Sequence, residues 1–194
     1  MHPATVTLSG QHVTLAPLSH DHAADLRHAA AGMQGLWYTA IPAPDSVPDE
    51  IDRRLALQAA GTMLPFVALL PGGRAVGMTT YMNMDIPNRR LEIGATWYAG
   101  EVQRTGLNTE AKLMLLDHAF ETLDCIAVEF RTHAMNLQSR RAIERLGAKL
   151  DGILRSHMIL ANGTLRDTAV YSVVAHEWPA VRANLEYRLS KPPG

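Results

Sequence analysis

The segment that most constrains this chain runs from residue 90 to residue 132. A strand-like stretch over 90–98 leads through a glycine-containing turn into a helical pattern from Leu107 to about Glu121. Leu107, Ala111, Met114, Leu115 and His118 share one face of that helix. Ile126, Val128 and Phe130 then alternate with Ala127, Glu129 and Arg131, the period of a half-buried strand. Strand, helix, strand in this order requires a crossover, and a crossover leaves its two strands parallel. Just upstream, residues 65–70 and 75–84 read as strands joined by Leu70-Pro71-Gly72-Gly73-Arg74, a hairpin connection that makes them antiparallel. A mixed sheet follows.

The rest of the chain adds to both sides of this unit. A short strand around residues 12–17 precedes Ser19-His20-Asp21, where a side-chain oxygen caps a helix running to about Ala31. Ile41-Pro42-Ala43-Pro44-Asp45-Ser46-Val47-Pro48 reads as an irregular loop, because successive prolines oppose a helix. A second helix is expected after Asp49, with Ile51, Leu55 and Ala59 inward. Another spans residues 137–146, with Ala142, Ile143 and Leu146 inward and Gly147 at its end. Two closing strands, about 148–160 and 166–174, flank Asn162-Gly163, a strong hairpin signal. A last helix starts near Glu177 and carries Val181, Leu185 and Leu189, which pack on their own domain or pair with a second subunit. The order β, α, α, three antiparallel strands, α, β, α, two strands, α is that of an α/β (α+β mixed) domain. It is not a doubly wound dinucleotide fold.

Composition narrows the function classes. At 194 residues, 47% of them hydrophobic, the chain suits one domain over 1–194 and buries a sizeable core. Eighteen Lys+Arg against nineteen Asp+Glu leave a net charge of −1, so no global field draws it to nucleic acid. Its apolar runs, such as that over 66–70, are too short to cross a bilayer. The start, Met1-His2-Pro3-Ala4, has no charged and apolar leader pattern, so a cytoplasmic location is expected. The one cysteine, Cys125, suits a reducing compartment and reads as a buried structural thiol, with no His at nucleophile spacing. His20, His22 and His28 lack i,i+4 metal spacing and a Cys or carboxylate cluster, so no metal is expected.

The chemistry concentrates where the first crossover strand meets its helix. Glu92-Ile93-Gly94-Ala95-Thr96-Trp97-Tyr98 is followed by Gln103-Arg104-Thr105-Gly106-Leu107-Asn108-Thr109-Glu110-Ala111-Lys112. The first N–H groups of a helix lack internal partners and carry partial positive charge, which makes a phosphate site. An ordinary capped helix with a tight turn accounts for the same residues. Neither Gly-x-x-x-x-Gly-Lys-Ser/Thr nor Gly-x-Gly-x-x-Gly is present.

The string Gln103-Arg104-Thr105-Gly106-Leu107-Asn108-Thr109-Glu110 resembles the acyl-CoA pyrophosphate loop of the GCN5-related N-acetyltransferases (GNAT). It is most similar to the branch of ribosomal-protein N-terminal (RimJ/RimL-like) acetyltransferases. The chain matches the general loop at Gln103 and Gly106 and departs from it at Asn108, a departure familiar in that branch. Asn136-Leu137-Gln138-Ser139 before a helix ending in Leu146-Gly147-Ala148 resembles the second family motif. Gly152-Ile153-Leu154-Arg155 and Arg166-Asp167-Thr168-Ala169-Val170-Tyr171-Ser172 look like the branch's last hairpin. The motif-bearing core covers about residues 13–174, followed by a C-terminal helix over about 177–189.

The resemblance implies a mixed, mostly antiparallel twisted sheet flanked by helices, with a splayed strand pair holding acyl-CoA. It implies direct transfer from acetyl-CoA to a primary amine in a ternary complex. Thr96, Trp97 and Tyr98 would hold the pantetheine arm. Arg104, Thr105, Gly106, Leu107, Asn108 and Thr109 would hold the pyrophosphate, with Arg104 adding a charge-assisted contact. Glu92 stands where many members place the carboxylate that deprotonates the amine; it reads equally as a solvated strand carboxylate. Asn136 would bind a cofactor or water oxygen and Ser139 assist the departing thiolate, or both simply cap their helix. Tyr171 and His157 are further catalytic candidates, with core packing and a surface histidine as the plainer readings. Trp37 and Tyr38 line the acceptor cleft or anchor the Pro-rich loop.

An α-amine, with a pKa near 7.7–8.0, is about a tenth neutral at pH 7, whereas a lysine near 10.4 is only about 0.04% neutral. The lack of one obvious base therefore favours an α-amine or another amine of low pKa. Acetyl-CoA and a primary-amine acceptor are the partners expected, with no nucleic acid and no membrane, in a monomer or homodimer. A non-catalytic acyl-CoA sensor and a plain interaction module are the other readings.

Overall fold

The parallel strand pair demanded by the crossover lies well inside the sheet. The computed structural model of the chain describes residues 4–33, 37–39 and 41–191; Met1 to Pro3 lie outside them. Among the described residues the strands are β1 (Leu8–Ser9), β2 (Thr14–Pro17), β3 (Met63–Leu69), β4 (Ala75–Asp85), β5 (Arg90–Tyr98), β6 (Ala127–His133), β7 (Lys149–Ile159) and β8 (Leu165–Val174). They form one sheet in the order β1-β2-β3-β4-β5-β6-β8-β7, in which β5 and β6 are parallel and every other neighbouring pair is antiparallel. The helices are α1 (Ala23–Ala31), α2 (Val47–Ala59), α3 (Leu107–Asp117), α4 (Leu137–Leu146) and α5 (Trp178–Leu189). This is the mixed α/β arrangement expected. No described helix is long and apolar enough to cross a membrane.

Strand alternation sorts the two faces. Thr80 of β4 meets Arg54 of α2, whereas Thr79 and Tyr81 meet Lys112 and the Leu115 carbonyl of α3. The α2 face and the α3 face therefore lie on opposite sides of β4. One cluster of buried side chains, including Leu15, Phe66, Met78, Tyr81, Leu115, Val128 and Leu185, runs through both layers. Burying each large apolar side chain is worth about 1.5–3 kcal/mol.

Four expectations are corrected. The Pro-rich segment is not irregular throughout: Pro44–Ser46 form a 3₁₀ turn, and Val47 and Pro48 open α2, where a missing N–H costs nothing. The inward stripe of α2 is Val47, Ile51 and Arg54, with Leu55 half-buried and Ala59 exposed. Strand β6 alternates as expected over 128–132, with Val128, Phe130 and Thr132 buried and Glu129 and Arg131 half-buried, but not at its ends, where Ala127 and His133 are covered as well because neighbouring segments pack on both faces of an inner strand. Ile126 precedes β6 and is exposed. Helix α3 gives way to a π-helical turn, His118–Thr122, beside the Tyr81 hydroxyl that donates to the Leu115 carbonyl. Of the two readings of the last helix, packing on its own domain is the one seen for Val181 and Leu185, which are buried, while Leu189 is half-buried.

Candidate active site

The ladder between β5 and β6 consists of Arg90–Ala127, Leu91–Val128 and Glu92–Glu129 and goes no further. Beyond it β5 continues to Tyr98 and β6 to His133, so the two strands open as a V. The cause lies on the other edge of β5. Its pairing with β4 passes from Thr80–Gly94 to Met78–Trp97, so β5 carries one extra residue, and Ala95 takes a φ of 48°. Such a bulge bends its strand and increases the local twist. The inner edges of the V thus carry backbone N–H and C=O groups outside the β5–β6 ladder. Ala95 and Thr96 are exposed despite lying deep in the sheet.

Two buried cations hold the bulge from opposite faces. Arg54, 1% exposed, reaches from α2. Its Nε donates to Glu50 Oε1 at 2.7 Å, one terminal nitrogen to Thr80 Oγ1 at 2.7 Å and the other to the Ala95 carbonyl at 3.0 Å. From α3, Lys112 is 6% exposed; its Nζ donates to Thr96 Oγ1 at 3.1 Å and Thr79 Oγ1 at 3.4 Å, and lies 5.9 Å from the centre of the Phe130 ring. Burial pulls the Lys112 amine down to about 7.

Glu92 marks the narrow end of the V. It is 5% exposed, accepts a bond from Asn83 Nδ2 at 2.7 Å, and lies 3.5 Å from Arg131 Nε. Its carboxylate leans over Gly94, where an added Cβ would come within 2.8 Å of Oε1. Burial pushes its carboxyl above the usual range, against the opposing pull of Asn83 and Arg131. Its register partner Glu129 behaves oppositely: burial raises it, but bonds from Arg131 and Arg90 hold it below its ordinary value. Environment thus gives two neighbouring carboxylates different readiness to carry a proton.

At the open end, Gln103 Nε2 donates to the Tyr98 carbonyl at 3.1 Å, folding the loop back on β5. Thr105 Oγ1 accepts the Leu107 N–H at 3.2 Å. The first intrahelical bond of α3 is Glu110 N–H to the Gly106 carbonyl, so the amides of Asn108 and Thr109 remain at the helix N-terminus, where an anion is favoured. Arg104 is exposed beside them in a left-handed conformation, φ 64°. Thr96, Trp97 and Tyr98 line the β5 arm. The eleven-residue helix α3 therefore starts beside the mouth of the V.

The remaining candidates are distributed around this frame. Asn136 caps α4, its Oδ1 accepting the Ser139 N–H at 3.0 Å, at the far end of β6. The Tyr171 hydroxyl is engaged by α4: it receives Arg140 Nε and donates to Glu144 Oε1, both at 2.8 Å. His157 is exposed on β7, two strands away from the V, 3.1 Å from Thr168 Oγ1. Trp37 packs edge-on and Tyr38 tilted against His133 at the end of β6, with ring centres 5.3 and 5.4 Å from it. Cys125 is buried, which pushes its thiol up to about 11. Among the described residues no group of His, Cys, Asp or Glu is arranged to hold a metal.

Sequence reasoning missed Arg54, Lys112, Asn83 and the role of Glu110. The last accepts the N–H groups of Gln11, His12 and Val13 at 2.8, 2.7 and 2.9 Å, tying the chain before β2 to the first turn of α3. Arg54 did carry a signal, being a cation set into an otherwise apolar helical stripe, whereas Lys112 shares the buried side of its helix with Glu110.

Comparison with known proteins agrees with this geometry. The sequence pattern of the family described as Acetyltransferase (GNAT) domain matches residues 12–149. YdaF of Bacillus subtilis (strain 168), a relative described as a ribosomal N-acetyltransferase, is 36% identical over 110 residues. That stretch is 57% of this chain and 59% of YdaF, so the match spans under two thirds of the relative's length. A GCN5-related N-acetyltransferase from Brucella melitensis superposes with a TM-score of 0.87 at 28% identity, covering 98% of this chain and 88% of that one. RimJ of Mycobacterium smegmatis, solved with CoA-disulfide, superposes with a TM-score of 0.78 at 25% identity, covering 97% of each chain.

Proposed function

The chain belongs to the acetyltransferase (GNAT) domain family, and from that membership we propose that it is an acetyl-CoA-dependent N-acetyltransferase working as a single domain. Its acceptor is a primary amine, and its similarity to YdaF and RimJ favours the α-amine of a protein N-terminus. The observation that carries the reading is the opening of β5 from β6 immediately before the start of α3.

The residues present fit acetyl-CoA. The amides of Asn108 and Thr109 and the Arg104 guanidinium suit a pyrophosphate at the mouth of the V. The outer arms of β5 and β6 offer strand-edge groups to the amides of the pantetheine arm. Bound there, acetyl-CoA supplies a thioester open to attack by an amine. Glu92, on the α2 face at the narrow end, takes the proton of the attacking amine, directly or through one water. Its raised pKa suits that role, and an α-amine near 7.7–8.0 asks less of the base than a lysine does. Asn136 and Ser139 stand at the end of β6, where α4 begins. The hydroxyl bonds of Tyr171 to Arg140 and Glu144 favour a structural part for it, and the exposed edge position of His157 favours the same.

The test is calorimetry with acetyl-CoA, followed by thiol release against a panel of amines that includes short peptides with free N-termini. We expect binding and turnover, both abolished by Gly106→Glu, whose side chain would start 3.1 Å from the His12 ring and carry its charge to the helix N-terminus. Binding without turnover on any amine would make the protein a sensor. No binding, with Gly106→Glu without effect, would refute the reading.

A further inference from the structure

Lys112 is a buried amine that nothing in the preceding scheme uses. No carboxylate forms an ion pair with it among the described residues. From β4 it meets the Thr79 hydroxyl, from β5 the Thr96 hydroxyl, and from β6 the Phe130 ring. On its own helix the nearby Glu110 carboxylate is occupied by the backbone N–H groups of residues 11–13. A buried ammonium without a counter-ion is costly, and the amine responds by giving up its proton near neutral pH. An anion brought beside it would reverse that shift.

Its position says which anion. Phe130 is the first residue of β6 beyond the last rung, and Thr96 lies a short way along β5 past the bulge, so Lys112 Nζ lies at the narrow end of the V. Glu92 lies at the same end, on the other face: Glu92 faces α2, through Met82 and Thr80, while Lys112 faces α3. A thioester threaded between the strands would have a carboxylate on one side and an amine on the other. Thr96 is exposed to the V, and its hydroxyl joins that space to Nζ.

We propose that Lys112 is the group that meets the departing sulfur of CoA, giving it a proton as the thioester is cleaved. The proposal rests on the acetyltransferase reading. The nitrogen of the acceptor forms its bond to the acetyl carbon, and the carbon–sulfur bond breaks with its electron pair left on sulfur. The ammonium of Lys112 gives that sulfur a proton, and the proton lost by the amine passes to Glu92. Solvent, reached past Thr96, returns a proton to Lys112 and accepts the one on Glu92, so the cycle closes with amide and thiol as products. Tyr171 does not compete for this part, because its hydroxyl donates to Glu144.

The test compares the binding of CoA with that of desulfo-CoA, which lacks only the sulfur, to wild type and Lys112→Met by calorimetry. Wild type is expected to prefer CoA about tenfold, the scale of one charge-assisted hydrogen bond, and the variant to bind both alike at the wild-type affinity for desulfo-CoA. In turnover, Lys112→Met should lose about a hundredfold in kcat with KM for acetyl-CoA little changed. Equal wild-type affinity for the two ligands overturns the proposal and needs no variant, so it holds even if Lys112→Met fails to fold. A preference for CoA that survives in Lys112→Met, or parallel losses for both ligands, also overturns it while leaving the acetyltransferase reading intact. Wild type binding neither ligand overturns that reading itself.

Discussion

Replacing Glu110 by alanine should unfasten the start of the sheet from the crossover helix. The carboxylate is 8% exposed and accepts three backbone N–H groups, from Gln11, His12 and Val13, at 2.7–2.9 Å. It is packed closely enough that a Cβ on Gly10 would lie 2.4 Å from its carboxyl carbon. The Val13 bond is buried, and a buried donor left without an acceptor costs about 1–3 kcal/mol. The other two donors are partly exposed and recover some of their loss from water. A total of about 2–4 kcal/mol follows, or roughly 5–15 °C in Tm for a chain of this size. Urea denaturation followed by circular dichroism measures it directly. Glu110→Gln, keeping one acceptor oxygen, should fall between wild type and Glu110→Ala. A loss below about 0.5 kcal/mol in Glu110→Ala, the range of ordinary surface changes, would refute the anchoring role.

Glu92→Gln should lower kcat by about 10²–10³-fold, as expected on removing a general base. The same change should leave the protein as stable as wild type, or more so, at neutral pH. A carboxyl whose folded pKa is raised contributes stability below its unfolded pKa and loses it as pH rises through the folded value. Thermal melts should therefore show the gain of Glu92→Gln at pH 7–8 and its disappearance below about 4.5, while an activity loss without this pattern would detach the base from its burial. Arg54→Met removes the bonds to Thr80 and the Ala95 carbonyl and should cost about 2–4 kcal/mol by urea denaturation. Steady-state kinetics should also show a several-fold rise in KM for acetyl-CoA, and an unchanged KM would mean that the bulge keeps its shape without the arginine.

The crossover, its strands and the helix over 137–146 could be read from the residues, because period-2 and period-3.6 patterns respond directly to burial. Gly147 is one such success: it ends α4 at a φ of 110°, which favours glycine. The bulge at Ala95 was not legible. Its extra residue is defined only by the register between β4 and β5, and register depends on contacts distant in sequence. Arg54 was passed over for a related reason, since an inward-facing cation looks like a break in an apolar stripe until its partners across the sheet are known. The anion-binding start of α3 was visible, whereas the fastening of Glu110 to residues 11–13 joins positions nearly a hundred apart. For β6, alternation held over 128–132 and failed at the strand ends, where an inner strand is covered on both faces.

The V also has a meaning for how the protein moves. It divides one continuous sheet into a five-stranded body, β1 to β5, and a three-stranded body, β6 to β8, joined at the seam by the rungs at residues 90–92 and 127–129. Strand-edge amides beyond those rungs open to solvent far more readily than the laddered ones on either side. A ligand lying along the V would act as a ninth strand, taking up pairing that the chain leaves to it. Its binding energy would be spent partly on welding two bodies whose β-ladder joins them at the narrow end.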